Sequence, residues 1–227
     1  LYSMCFIDSL VGYICTAVSS SGNELYKTTD AGLTWSSSNT GIKQQITDIH
    51  FSSESDGYIV VGGWDQGAIY KTNDGGNSWL KEITTTNYGL NSVFSMDSVA
   101  WAVGYNGVIL KTVNNKKDWI TVVQGNITMK ELRSVTNAGN NIVIAAGIMG
   151  ETLRSTDGGY TWETIMSDWQ NTKTIRSIQM VNEAVGYAVG EKGKIMKTLD
   201  GGASWKHIDN AMKPELWNIC FVDKFNG

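Results

Sequence analysis

The chain has 227 residues, 41% hydrophobic and 18% charged, enough to bury a sizeable core in one folded domain. Its net charge of −4, with lysines and acids interspersed, supplies no basic field for nucleic acid or anionic lipid. No apolar run reaches the roughly 18 to 20 residues of a membrane span, and no charged-then-apolar start resembles a signal peptide, so membrane insertion is not expected.

In chain order, the same sequence of runs recurs. The first unit holds an apolar run over Leu1–Ile7, a second around Gly12-Tyr13 and a third around Leu25-Tyr26. It then reads Lys27-Thr28-Thr29-Asp30-Ala31-Gly32-Leu33-Thr34-Trp35. The second unit repeats this as Ile46–Ser52, Gly57-Tyr58, Ile69-Tyr70 and Lys71-Thr72-Asn73-Asp74-Gly75-Gly76-Asn77-Ser78-Trp79. The third has Leu90–Met96, Ala100-Trp101 and Ile109-Leu110. Its motif is worn between Lys111-Thr112 and Asp118-Trp119, with Asn114 and Asn115 near the Asp position and Lys116-Lys117 in place of the glycine turn. The fourth has Leu132–Ala138, Val143-Ile144, Thr152-Leu153 and Arg154-Ser155-Thr156-Asp157-Gly158-Gly159-Tyr160-Thr161-Trp162. The fifth has Ile175–Val181, Gly186-Tyr187, Ile195-Met196 and Lys197-Thr198-Leu199-Asp200-Gly201-Gly202-Ala203-Ser204-Trp205, with a closing run over Ser204–Ile208. A sixth first run follows at Leu216–Val222.

The motif tryptophans Trp35, Trp79, Trp119, Trp162 and Trp205 stand 44, 40, 43 and 43 residues apart. Four short β-rich runs per unit, separated by Gly, Asn, Asp and Lys turns and without helical periodicity, predict a four-stranded antiparallel meander. Runs this apolar need cover on both faces, which only neighbouring units can provide. The expected fold is therefore all-β: a β-propeller of four-stranded antiparallel blades, with five complete repeats and the first strand of a sixth. A single domain over 1–227 divides at about 1–43, 44–87, 88–129, 130–172, 173–213 and 214–227. The partial sixth repeat suggests a piece of a seven-bladed ring, the alternative being a closed five-bladed one.

The motif is similar to the Asp-box, or BNR, repeat. Gly-Tyr-Ala-Val-Gly, then Gly-x-Ile-x-Lys-Thr, then Asp-Gly-Gly-x-x-Trp more closely resembles the photosystem II stability/assembly factor-like propellers, over essentially the whole chain. That resemblance implies a non-enzymatic, protein-binding propeller with a basic, arginine-bearing face, and Arg133 and Arg176 are the positions that match it.

Each box carries one carboxylate at a hairpin tip, suited to holding backbone N–H groups of its own turn, with glycines supplying positive φ and Trp anchoring the blade. Asp30, Asp74, Asp157 and Asp200 are thus read as structural. A metal needs several converging oxygens, so no metal or cofactor is expected. Cys5, Cys15 and Cys220 fit no zinc spacing and are read as buried small side chains, with a Cys5–Cys15 bridge across one hairpin as the alternative.

Antiparallel order puts the turns after second strands and before first strands on the side away from the boxes. Loops there vary without disturbing packing, so partner contacts are sought there. The residue next to the start of each first strand runs Tyr2, Thr47, Asn91, Arg133, Arg176 and Trp217, changing chemistry from unit to unit. Arg133 and Arg176 would bind a carboxylate of a partner. Trp64, Tyr105, Trp169, Trp217 and Asn91 complete the candidate face. The third arginine, Arg154, lies in a box, so no arginine triad of the sialidase type can assemble. His50 and His207 are isolated. The expected function is a monomeric scaffold presenting this face to a protein. Alternatives are a glycan-binding or glycoside-hydrolase-related Asp-box propeller, or a repeat segment of a secreted or cell-surface protein. An extracytoplasmic or secreted location is favoured, in keeping with few Arg and Pro and many Asn, Ser and Thr.

Overall fold

The computed structural model describes residues 2–16, 25–38, 40–63, 67–82, 86–113, 118–123, 125–165, 173–208 and 214–221. They form five four-stranded antiparallel sheets, the blades of a β-propeller, each pairing its strands in chain order. The first blade is β1 (Ser3–Phe6), β2 (Gly12–Cys15), β3 (Leu25–Thr28) and β4 (Ser36–Ser38). The second is β5 (Ile46–Phe51), β6 (Gly57–Val61), β7 (Ala68–Thr72) and β8 (Leu80–Lys81). The third is β9 (Leu90–Met96), β10 (Val99–Gly104), β11 (Ile109–Val113) and β12 (Asp118–Val123). The fourth is β13 (Leu132–Gly139), β14 (Ile142–Gly147), β15 (Thr152–Ser155) and β16 (Glu163–Thr164). The fifth is β17 (Ile175–Met180), β18 (Gly186–Gly190), β19 (Ile195–Thr198) and β20 (Lys206–His207).

The chain forms two compact units, Leu1–Gly104 with Leu110–Thr121, and Tyr105–Ile109 with Val122–Gly227. In the first unit, Tyr13 of β2 stacks on Phe51 of β5 at 5.0 Å between ring centres, and Tyr58 of β6 meets Trp119 of β12 edge-on at 5.5 Å. In the second, Ile144 and Ala146 of β14 pack with Ile175, Ile178, Met180, Met196 and Trp205. Second strands are buried along nearly their whole length, as for β6 and β14; β6 lies between two blades of the first unit.

Each first strand lies at one edge of its sheet, so its outward N–H groups have no ladder partner. Polar side chains of the preceding first strand supply the acceptors. Val93 N–H donates to Asp48 Oδ2 at 2.9 Å and Ser95 N–H to His50 Nδ1 at 3.2 Å. In the second unit, Ile178 N–H donates to Ser134 Oγ at 3.2 Å and Met180 N–H to Thr136 Oγ1 at 3.4 Å. One repeat on, Ile219 N–H donates to Ser177 Oγ at 3.4 Å and Phe221 N–H to Gln179 Oε1 at 2.7 Å. Two acceptors spaced two residues apart thus match two donors spaced two apart, the period of a strand. In the first blade, Ser3 Oγ donates to Asp48 Oδ1 at 2.6 Å, and burial raises the Asp48 carboxyl above the usual range.

Several expected boundaries shift. Fourth strands contract to two or three residues except in the third blade, where Trp119 sits inside β12. Residues 215–221 follow β17 side by side through the Ser177 and Gln179 contacts, yet carry no strand pairing among the described residues. The worn turn at 114–117 lies outside the described residues. Cys5 and Cys15 are free thiols: the register sets Cys5 opposite Tyr13 and Cys15 opposite Ser3, a diagonal placement that does not bring the sulfurs face to face.

Ser134→Ala removes the acceptor of the buried Ile178 N–H, and is expected to lower stability by about 1 to 3 kcal/mol. Urea unfolding monitored by tryptophan fluorescence measures this, and an unmoved midpoint would show that the N–H is satisfied elsewhere.

Candidate functional site

The variable position of the first strands coincides with a break in strand register. Ile46 faces Val61 while Asp48 faces Val60, leaving Thr47 as an extra residue. The same bulge isolates Asn91 between Leu90 and Ser92, Arg133 between Leu132 and Ser134, and Arg176 between Ile175 and Ser177. A bulge frees one residue from inward–outward alternation and re-aims its side chain. That is why this position changes chemistry between apolar neighbours. The bulge also presses the backbones together: a Cβ on Gly147 would fall inside the Glu131 carbonyl oxygen, so no side chain fits there.

Three tight hairpins of one kind stand in the second unit. Val108 N–H donates to Tyr105 O at 3.1 Å, Glu151 to Ile148 at 3.1 Å and Lys194 to Glu191 at 3.3 Å. Asn106, Met149 and Lys192 are left-handed at φ 55, 56 and 59, each followed by a left-handed glycine, giving type I′ turns. The turn tips carry whatever side chain the site uses, because the following glycine meets the conformational demand.

Both predicted arginines are held by acids. Arg133 Nε lies 3.0 Å from Glu131 Oε1, and its Nη2 donates to Glu131 Oε2 at 3.1 Å. Tyr105 belongs to this cluster: burial raises its phenol above the ordinary range, Glu131 adds to the rise and Arg133 opposes it. Arg176 donates from Nε and Nη2 to Glu215 Oε2 at 3.2 and 2.9 Å, lies 3.8 Å from Glu191, and sits 3.9 Å above the ring of Trp217. Glu215 Oε1 accepts the Lys192 N–H at 3.3 Å. The structure therefore brings Arg176 together with Trp217, while Tyr105 begins the 105–107 turn beside the strand that carries Arg133. The arginines form two ion-pair centres that share no carboxylate among the described residues. Asn91 is half-buried on β9 in the first unit; Trp64 and Trp169 lie outside the described residues. Glu131, Glu191 and Glu215 stand in these loops, but nothing in the sequence pairs them with the arginines, since the pairing depends on the bulge.

The Asp-boxes are closed hydrogen-bonded turns. Asp74 Oδ1 accepts from Thr72 Oγ1 at 2.7 Å and Ser78 N–H at 2.9 Å, while Oδ2 accepts from Ser78 Oγ at 2.6 Å. Asp30, Asp157 and Asp200 repeat the pattern with Thr34, Thr161 and Ser204. Trp35 and Trp162 donate their indole N–H to Gly32 O and Gly159 O at 3.1 and 3.2 Å. Two boxes are also capped from the preceding blade: Lys27 Nζ and Tyr13 Oη donate to Gly75 O, and Arg154 Nε donates to Gly201 O at 2.9 Å. Among the described residues, no three His, Cys, Asp or Glu side chains gather as a metal site.

The repeat and its blades match a known family model, that of the Photosynthesis system II assembly factor YCF48, over residues 27–170. The chain belongs to the YCF48 family. Among solved structures, YCF48 bound to D1 peptide is similar at 17% identity, covering 97% of this chain and 86% of that one, with a TM-score of 0.62. YCF48 from Cyanidioschyzon merolae is similar at 13% identity, covering 98% and 89%, with a TM-score of 0.54. An ancestral GH74 enzyme is similar at 17% identity and TM-score 0.74, covering 96% of this chain but 32% of that one. At these identities the likeness is one of fold, and this chain spans about a third of that GH74 enzyme. No curated protein sequence is a match. Among the described residues, no helix is long and apolar enough to cross a membrane.

Bonds from the Ser78 hydroxyl, the Ser78 N–H and the Thr72 hydroxyl lower the Asp74 carboxyl to about 2. A depressed folded value stabilises the fold above the unfolded carboxylate pKa of about 3.9, and that contribution is lost as pH falls through the folded value. Carboxyl-carbon NMR should place the Asp74 midpoint near 2, with the box weakening between about pH 4 and pH 2; a midpoint at the ordinary value would contradict the clamp.

Proposed function

We propose that this chain is a non-enzymatic scaffold that holds a segment of another protein on the bulge-and-turn face of its second unit. Arg133 and Arg176 receive carboxylates of the partner, and Tyr105 and Trp217 supply aromatic surface beside them. The observation that carries this reading is the recurring bulge, which places Arg133 and Arg176 outside blade packing at equivalent positions. Family membership and the likeness to YCF48 bound to D1 peptide support a peptide as occupant. Planar guanidinium groups suit bidentate carboxylate recognition; the resident Glu131 takes one hydrogen bond from Arg133 Nη2 and leaves the buried Nε without an acceptor.

The carboxylates of this face are committed to positioning. Glu131 and Glu215 bind arginine, and Glu151 lies 2.7 Å from Lys130. Glu191 Oε2 accepts the Thr174 N–H, and the Thr174 contacts lower its carboxyl below the usual range. This arrangement favours a scaffold over a glycosidase, which needs one carboxyl kept protonated opposite a second.

A partner carboxylate reaches Arg176 by displacing Glu215, whose side chain is 40% exposed. Charge reversal, Arg133→Glu with Arg176→Glu, should abolish capture of the partner segment while circular dichroism shows an intact fold; undiminished capture overturns the reading. Conversely, Glu215→Gln removes a competing exposed ion pair of roughly 0.2 to 1 kcal/mol, and should tighten partner binding about two- to fivefold by calorimetry.

A further inference from the structure

Blade junctions of one geometry are laced here by different chemistry. The fourth blade uses Ser134 and Thr136 and the fifth Ser177 and Gln179, hydroxyls and an amide that do not change charge with pH. Between the second and third blades the same two places are taken by Asp48 and His50. His50 stands at the position of Thr136 in the fourth blade and Gln179 in the fifth, the second lace of each first strand.

Backbone geometry decides the state of the His50 ring. The Ser95 N–H is fixed in direction by its strand and points at Nδ1 from 3.2 Å, so that nitrogen carries a lone pair and the ring proton sits on Nε2. The Ser95 hydroxyl also lies 3.2 Å from Nδ1 and can donate to it or turn away. The Phe94 ring packs on the imidazole with 4.6 Å between centres. A second proton on the ring turns Nδ1 into a donor facing a donor. Turning the ring over brings a C–H to the place of Nδ1, which accepts nothing either. The protonated imidazole therefore has no arrangement that keeps the Ser95 lace.

We propose that His50 makes the junction between the second and third blades an acid-sensitive joint, closed while Nδ1 is bare and opened when the ring takes a second proton from solvent. The joint opens from the Ser95 end, because Thr47 Oγ1 donates to Leu90 O at 2.6 Å beside the bulge, a bond that does not titrate.

The other ionisable groups of this junction do not imitate the effect. β9 and β10 carry no titratable side chain. Tyr58 of β6, opposite His50, has its phenol raised by burial and stays neutral in acid, with Lys71 Nζ 5.9 Å from its ring. Cys15 of β2 is raised by burial and Cys5 of β1 is a free thiol, so both are uncharged in acid. Asp48 runs in the opposite sense. Burial raises its carboxyl above the unfolded value, so its contribution grows as pH falls through the folded value, whereas the His50 lace is lost as pH falls.

Nitrogen NMR and amide hydrogen exchange of the full chain test this, with each amide rate referred to its intrinsic rate at the same pH. In mild alkali His50 Nδ1 should show the shift of a bare acceptor nitrogen. Between about pH 8 and pH 5, where histidine changes charge, Ser95 protection should fall ~10-fold or more with the ring's own midpoint, while Ile178, laced by Ser134, keeps its protection. His50→Gln, which installs the residue of the fifth blade, should hold Ser95 protection constant over the same range, and His50→Thr, after the fourth blade, should do the same. Should a variant fail to fold, the comparison of Ser95 with Ile178 in the unaltered chain decides. A proton found on Nδ1 in mild alkali, or Ser95 protection that stays level while the ring titrates, overturns the joint. So does an equal fall at Ile178, or an equal fall at Ser95 in the two variants.

Discussion

The structure depends on how the inner edge of each blade is satisfied. A first strand pairs with its second strand on one side only, and an edge N–H left without an acceptor in a packed interior costs about 1 to 3 kcal/mol. Backbone pairing between blades would merge the sheets into one. Short polar side chains solve the problem: Asp48, His50, Ser134, Thr136, Ser177 and Gln179 each take one N–H of the following strand. Neighbouring blades are thereby held in register while remaining separate sheets. Apolar packing such as the Tyr13–Phe51 stack then fills the space that this lacing defines.

The same device limits where function can reside. In β5, β13 and β17 the positions two and four residues beyond the opening Ile or Leu are committed to lacing. The extra residue of the bulge is not so committed, and it is this residue that becomes Thr47, Asn91, Arg133 or Arg176. Thr47 spends its hydroxyl on Leu90 O at 2.6 Å, whereas the two arginines reach carboxylates. One backbone irregularity thus serves packing in one blade and charge presentation in another.

Much of this was legible in the sequence, for identifiable reasons. The Asp-box is local: its Asp, hydroxyl and glycine partners lie within a few residues, so spacing alone announces the turn. Strand order followed from the 40- to 44-residue recurrence of Trp. The variable column of residues was visible as well, but not its cause, because a bulge is a relation between two strands and leaves no mark on one. Lacing was hidden for the same reason: His50 reads as an isolated histidine until Ser95 is placed beside it. The resident acids of Arg133 and Arg176 were likewise invisible, since Glu131 and Glu215 sit in equivalent loop positions yet serve arginines of different blades. The long fourth strand β12 also escaped, because the worn motif before it carries no glycine turn to mark where it begins.

The lacing and the box caps share a direction. In every described pair the side chain that completes a contact comes from the earlier blade: Asp48 serves Val93, Lys27 serves Gly75, Arg154 serves Gly201 and Gln179 serves Phe221. Blades are therefore not interchangeable tiles but a vectorial series, in which each finished blade is a template for the next. During synthesis the ribosome delivers them in that order, N-terminal first. An emerging strand such as β9 or β17 then meets acceptors carried by a blade made before it.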